Sequence, residues 1–210
     1  MSKHFIFCHG FGFDRSFWDN LVPYFAKEYC TFLDLGYFGN KCETIKSIDN
    51  AITIGIGHSL GLCKLLNLNQ KFDYLIGLNS FINFLGNVSG LYQKRKDELE
   101  FLKQQLKKSP MVTMNVFYQT CGVANNKIEG IDTEIALNDL DFLAYSFNLP
   151  QNAKTLIIGA KDDVIVPPEI LYDNFNCCSN ATIDILDKGK HALGYLEAQS
   201  VKDKIFEFIN

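Results

Sequence analysis

The stretch Ala51-Ile-Thr-Ile-Gly-Ile-Gly-His-Ser-Leu-Gly61 decides the fold. Its first half is a short apolar run rich in β-branched residues, as expected of a strand buried on both faces of a parallel sheet. Its second half, Gly-x-Ser-x-Gly, runs straight into the apolar, helically periodic segment 60–68. A strand that turns so abruptly into a helix presses the first helical turn against its neighbours, so the positions two before and two after the serine must lack bulk. Gly57 and Gly61 meet that requirement and leave Ser59 at the apex of the turn.

Outward from this point, short apolar runs ending in Gly or Asp alternate with segments of helical period, which predicts an α/β fold. Strands are expected at 5–8, 31–35, 51–56, 74–78, 155–158 and 182–186, and helices at 17–28, 60–68, 169–175 and 196–209. In the first of these helices Trp18, Leu21, Val22 and Phe25 would form the inner face. The result is a mainly parallel sheet of about six strands flanked by helices. Between 81 and 150 the alternation stops, beginning with a charged amphipathic stretch around Leu99, Leu102 and Leu106. Residues 1–80 and 151–210 are therefore expected to form the core, and 81–150 a small helical lid with both ends at one edge of the sheet.

Composition limits the function classes. The chain has 210 residues, 47% hydrophobic and 21% charged, which suits one folded domain and excludes disordered or fibrous classes. A net charge of −4 argues against a general nucleic-acid binder, which needs a basic surface. The seven cysteines are odd in number and contain no C-x-x-C pair, so buried thiols in a reducing compartment are expected. The N-terminal run is broken by His9 and Gly10, unlike a signal peptide, and no apolar run is long enough to span a membrane. Both features predict a cytoplasmic protein.

A serine hydroxyl is a weak nucleophile until a base takes its proton. Of the four histidines, His4 opens the first strand, His58 adjoins Ser59 but points away at the turn, and His9 precedes a glycine turn. His191, in Gly189-Lys-His-Ala-Leu-Gly194 between the last strand and last helix, is the expected base. A carboxylate must hold its tautomer. Two adjacent acids follow the penultimate strand in Gly159-Ala-Lys-Asp-Asp-Val-Ile-Val-Pro167. Spacing from Gly159 selects Asp162, whereas spacing back from Val166-Pro167 selects Asp163. Asp162 is preferred, because a strand end fixes geometry more tightly than a loop. The backbone amides of Phe11, in His9-Gly-Phe-Gly12, and of Leu60 are expected to hold a developing oxyanion. Phe11, Phe117 and Phe142 are candidate walls of an acyl site, while most of the other lid aromatics (Phe81, Phe84, Tyr118, Tyr145, Phe147) are read as the lid's own core. This chemistry needs no metal or organic cofactor.

These four segments in this order resemble the α/β-hydrolase superfamily over nearly the whole chain. Within it, His9-Gly-Phe-Gly-Phe-Asp-Arg-Ser-Phe-Trp-Asp-Asn-Leu21, the short helical lid and 140–149 are most similar to the pimeloyl-acyl-carrier-protein methyl ester esterases of biotin synthesis. The resemblance implies a serine carboxylesterase that removes a methyl ester from a small-molecule or carrier-bound acyl chain. It also implies acyl carrier protein as a partner. The chain departs from the family by starting at what would be its third strand, by its short lid, and by Asp34-Leu-Gly-Tyr-Phe-Gly39 in place of D-x-P-G-x-G. The same triad also serves carbon–carbon bond hydrolases and lyases, including a menaquinone-pathway lyase, and a non-catalytic binding protein is the third reading. Between 92 and 110, six basic residues (Lys94, Arg95, Lys96, Lys103, Lys107, Lys108) stand against three acidic ones. They would suit an acidic carrier protein, although a charged amphipathic helix is more often simply a solvated face.

Overall fold

A computed structural model of the chain describes residues 2–25, 27–39, 41–123 and 130–210. The six strands are β1 (Lys3–Cys8), β2 (Tyr29–Leu33), β3 (Ile52–His58), β4 (Tyr74–Leu78), β5 (Lys154–Ala160) and β6 (Ala181–Leu186). They form one sheet in the order β2-β1-β3-β4-β5-β6, and every neighbouring pair is parallel. This is the fold class expected from the sequence, with all six strands where the apolar runs place them. Chain direction across the sheet reverses between β1 and β3, and the crevice beyond their carboxyl ends is where open α/β sheets bind ligands.

Pleating explains how the sheet is covered. Phe5 and Phe7 share one face, where they meet Phe25 at 4.8 and 5.4 Å and Trp18 packs on Phe7 at 5.1 Å. Phe206, from the C-terminal helix, stacks on Phe25 at 5.2 Å and closes this layer. The helix expected at 17–28 is instead two short 3-10 turns, Arg15–Trp18 and Val22–Phe25. Pro23 lacks a donor N–H and would clash with the preceding turn of an α-helix. The expected inner residues Trp18, Leu21 and Phe25 are nevertheless buried, because their area rather than their helicity docks the segment.

The helices are α1 (Leu60–Leu66), α2 (Ser89–Lys108), α3 (Pro110–Cys121), α4 (Thr133–Phe142), α5 (Pro168–Phe175), α6 (Leu193–Leu196) and α7 (Ala198–Ile209). Between β4 and β5 the described residues hold α2, α3 and α4 and no strand. Pro110 opens α3, Gly122 ends it with a φ of 87°, and the Asp132 carboxylate caps α4 by accepting from the Glu134 and Ile135 amides. The two ends of this insertion meet, since the Phe147 amide donates to the Ile82 carbonyl at 2.8 Å and Asn83 bridges Ser146. Because β4 and β5 are parallel, the chain leaves the carboxyl edge after Leu78 and returns down the sheet to the amino end of β5, where the Lys154 amide donates to the Asp73 carbonyl. None of the described helices is long and apolar enough to cross a membrane.

Candidate active site

Ser59 occupies the turn between β3 and α1 with φ 52° and ψ −122°, a conformation that L-residues rarely adopt and that costs on the order of 1–3 kcal/mol. Its amide donates to the Leu78 carbonyl at 2.9 Å, which fixes the turn to β4. The two glycines are required by space. A Cβ on Gly57 would stand 2.4 Å from the Leu62 nitrogen, and one on Gly61 would stand 2.1 Å from the Cys8 carbonyl oxygen.

The Ser59 hydroxyl lies 3.0 Å from His191 Nε2, and His191 Nδ1 lies 2.8 Å from Asp163 Oδ2. With Nδ1–H donating to the carboxylate, the Nε2 lone pair faces the serine hydroxyl, the arrangement a general base needs. All three residues are buried. The other Asp163 oxygen accepts from the Ile165 and Val166 amides at 2.8 and 3.0 Å. Burial opposes the Asp163 charge, but His191 and those two amides outweigh it, and the carboxyl is held below its ordinary range.

The preference for Asp162 is thereby corrected to Asp163. Strand β5 continues one residue past Gly159, and the Asp163 amide then donates back to the Ala160 carbonyl at 3.2 Å. This tight turn swings Asp163 over the strand end and leaves Asp162 exposed.

Two further residues hold the histidine loop. The Asn79 amide group donates to the carbonyls of Lys190 and His191 at 2.9 and 3.0 Å, and its oxygen accepts from the Ala160 amide at 2.9 Å. His58 Nε2 donates to the His191 carbonyl at 2.9 Å, while its ring stacks on Phe17 at 4.2 Å. Burial first, and then the neighbouring His191, push the His58 pKa well below its ordinary value, so it is a neutral hydrogen-bond donor. His58 does point away from Ser59, as expected, but toward His191. Neither role has a sequence motif; the one signal at Asn79 is its φ of 45°, which the sequence does not reveal.

On the β1 side, His9 donates from Nδ1 to the Gly10 carbonyl at 3.0 Å and accepts the Leu35 amide at Nε2 at 3.1 Å, which shapes the turn that carries Phe11. Among the described residues, the amides of Phe11 and Leu60 donate to no protein acceptor. Helix α3 reaches the same turn, where the Tyr118 hydroxyl donates to the Gly12 carbonyl.

Ser59 and His191 open on a cavity of about 480 Å³ whose wall includes Phe11, Phe84, Leu102 and Phe117. Phe142 does not line it. It packs on Phe147 at 5.0 Å and under the Lys64 ammonium at 4.1 Å, so the expectation that Phe142 contacts substrate is corrected. Phe81 and Phe84, read from sequence as lid core, are wall residues. Among the described residues no group of three or more His, Cys, Asp or Glu side chains is placed to hold a metal ion. The expected basic lid face is also reduced, since Lys103 is bridged by Glu100 and Asp141 at 2.8 and 2.6 Å and Arg95 is turned inward.

The fold is that of the α/β-hydrolases. A lipase-esterase related protein from Clostridium acetobutylicum superposes with a TM-score of 0.72 at 21% identity, covering 99% of this chain and 94% of that one. An esterase from Exiguobacterium antarcticum gives 0.79 at 14% identity over 99% and 91%, and MenH from S. aureus gives 0.73 at 15% over 99% and 92%. No protein-family model and no curated protein matches the sequence.

Proposed function

We propose that the protein is a serine carboxylesterase acting on an ester with an apolar acyl chain. The observation that carries this reading is the unbroken hydrogen-bonded line from Asp163 through His191 to Ser59, at a strained turn that opens on an apolar cavity. Ser59 Oγ attacks the ester carbonyl as its proton passes to His191 Nε2. Asp163 stabilises the imidazolium through Nδ1–H, and the Phe11 and Leu60 amides take the oxyanion. Collapse of the tetrahedral intermediate expels the alcohol with the proton returned by His191. Water, deprotonated by the same imidazole, then hydrolyses the acyl-serine and regenerates the hydroxyl.

The methyl ester of a carrier-bound pimeloyl chain, implied by the family resemblance, is one member of this substrate class, with a cytoplasmic acyl carrier protein as the partner. Residues 81–150 would serve as the lid. Hydrolysis of p-nitrophenyl esters from acetyl to dodecanoyl tests the reading. The wild type should turn over a window of chain lengths, and Ser59→Ala should lose about 10⁴-fold or more in kcat. Wild-type activity in the Ser59→Ala protein would refute it. The likeness to MenH supports a second reading, in which the same three residues cleave a carbon–carbon bond; product analysis separates the two.

A further inference from the structure

Lys94-Arg95-Lys96 reads in the sequence as part of a solvated basic face, yet Arg95 is only 6% exposed while the lysines on either side point to water. It lies on the wall of the cavity that contains Ser59 and His191. A guanidinium in such a place is costly unless it is paired, and buried charges are ordinarily matched by an opposite one.

Arg95 is not so matched. One terminal nitrogen donates to the Ile165 carbonyl at 2.7 Å, and the guanidinium lies 4.8 Å above the Phe84 ring. Among the described residues no carboxylate comes within ion-pair distance of it. Of the acids nearby, Asp163 is committed to His191 and two amides and Asp97 to Gln93, while Glu98, on the same cavity wall, is exposed, lies 3.9 Å from Lys94 and makes no ion pair with Arg95. Of the five N–H donors of an arginine, four are thus left without a protein acceptor. Burial lowers the Arg95 pKa, with Glu98 and Asp163 acting at longer range to retain the charge.

We propose that Arg95 receives a carboxylate of the substrate, so that the esters preferred here are half-esters: the acyl chain carries the ester at one end and a free carboxylate at the other. The inference rests on the esterase reading and narrows it. A planar guanidinium offers two parallel N–H donors to a carboxylate, a match that an ammonium or an amide does not reproduce. The remaining cavity wall is largely apolar and suits the methylene chain between the two ends. A carrier-bound chain has a neutral thioester at its far end, so the same contact discriminates free acid from carrier-bound substrate.

Arg95 has one other visible task, tying α2 to the loop of the triad acid, since the Ile165 amide donates to Asp163 while the Ile165 carbonyl accepts from Arg95. The experiment separates the two roles. Values of kcat/KM are measured for monomethyl esters of α,ω-dicarboxylic acids and for methyl esters of monocarboxylic acids of equal length, with wild type, Arg95→Gln and Arg95→Lys. The wild type should favour the carboxylate-bearing series at its best length by about 10- to 100-fold. R95Q should lower kcat/KM on the carboxylate-bearing series at least tenfold more than on the uncharged series, so that the preference disappears, and R95K should retain part of it. Equal rates on the two series in wild type, or an equal fall on both in R95Q, would overturn the proposal, the latter assigning Arg95 to the loop alone. Calorimetric binding of the half-ester to Ser59→Ala gives a readout that needs no turnover. Binding weakened at least tenfold by adding R95Q supports the carboxylate contact even if the esterase reading fails, and absence of binding defeats it.

Discussion

On the sheet side of the cavity, Ser59 and Asp163 are held by backbone, and only the His191 loop depends on side chains, those of Asn79 and His58. Ser59 sits on a turn that only flanking glycines permit, and the Asp163 loop is closed by amide donors from Asp163, Ile165 and Val166. On the helical side the holding is done by side chains from distant parts of the sequence. Asp139, in the middle of α4, accepts from Tyr37 and from Lys64 at 2.5 Å each, and Arg95 reaches across to Ile165. A backbone-held site tolerates little variation in geometry, whereas a side-chain-held wall can be rebuilt residue by residue. In the proposed esterase the chemistry would therefore be set by the first region and the choice of substrate by the second.

The sharpest test of this division lies in the two adjacent acids. Asp163→Asn should lower kcat by about 10⁴-fold, because an amide cannot stabilise the imidazolium and favours the wrong tautomer. Asp162→Asn should leave kcat within about twofold, since that side chain is exposed. Steady-state rates on one chromogenic ester decide it, and equal losses in the two variants would break the assignment. The same pair carries a stability signature. The folded-state carboxyl of Asp163 lies below the ordinary range, so its stabilising contribution is present above about pH 3.8 and is lost as pH falls through the folded value. Melting curves of wild type and Asp163→Asn should therefore converge as the solution is acidified below that point.

These acids also mark where the sequence stops being legible. The strands, the elbow and the order serine, acid, histidine are written in local patterns: apolar runs, paired glycines, strand ends. The choice between Asp162 and Asp163 turned on which of two spacings to follow: the one from Gly159 failed because β5 runs one residue further and such a boundary leaves no mark in an apolar run, whereas the one from Val166-Pro167 selected the acid that pairs with His191. Pro23 was a legible warning that 17–28 could not be one α-helix, and the apolar spacing around it concealed the warning. Asn79, His58 and Arg95 were illegible for another reason: each acts through partners far along the chain, 112, 133 and 70 residues away.

A smaller effect is expected where the two regions meet. Asn79→Ala removes both donors to the histidine loop and the acceptor for the Ala160 amide, so His191 loses part of its placement while the triad itself stays intact. Misplacement of a catalytic group by about 1 Å can cost up to about 100-fold, and kcat should fall by 10- to 100-fold with KM little changed. A fall as deep as that of Asp163→Asn would mean that Asn79 does more than position.

Within the helical wall, Asp139→Ala should destabilise the fold by about 1–3 kcal/mol, because it strands the buried Tyr37 hydroxyl and frees Lys64. Thermal melting measures this. Activity per folded molecule should change less, since Asp139 touches neither Ser59 nor His191, and a greater loss of rate than of stability would show that the helical side also tunes the chemistry.

The least of these effects distinguishes two phenylalanines that look equivalent in the sequence. Phe117 lines the cavity, meets Phe11 edge-on at 5.4 Å and lies 6.5 Å from the His191 ring. Phe142 is spent on Phe147 and Lys64 outside it. Phe117→Ala enlarges the cavity and should shift the preferred acyl length upward by a few-fold in kcat/KM, in keeping with the ~1–3 kcal/mol that a hydrophobic pocket can discriminate for each methylene. Phe142→Ala removes only packing and should lower the melting temperature with the chain-length profile unmoved. If both variants shifted the profile alike, the wall would be responding as one deformable body and not as separate residues. Substrate choice would then reside in the docking of the helices on the sheet.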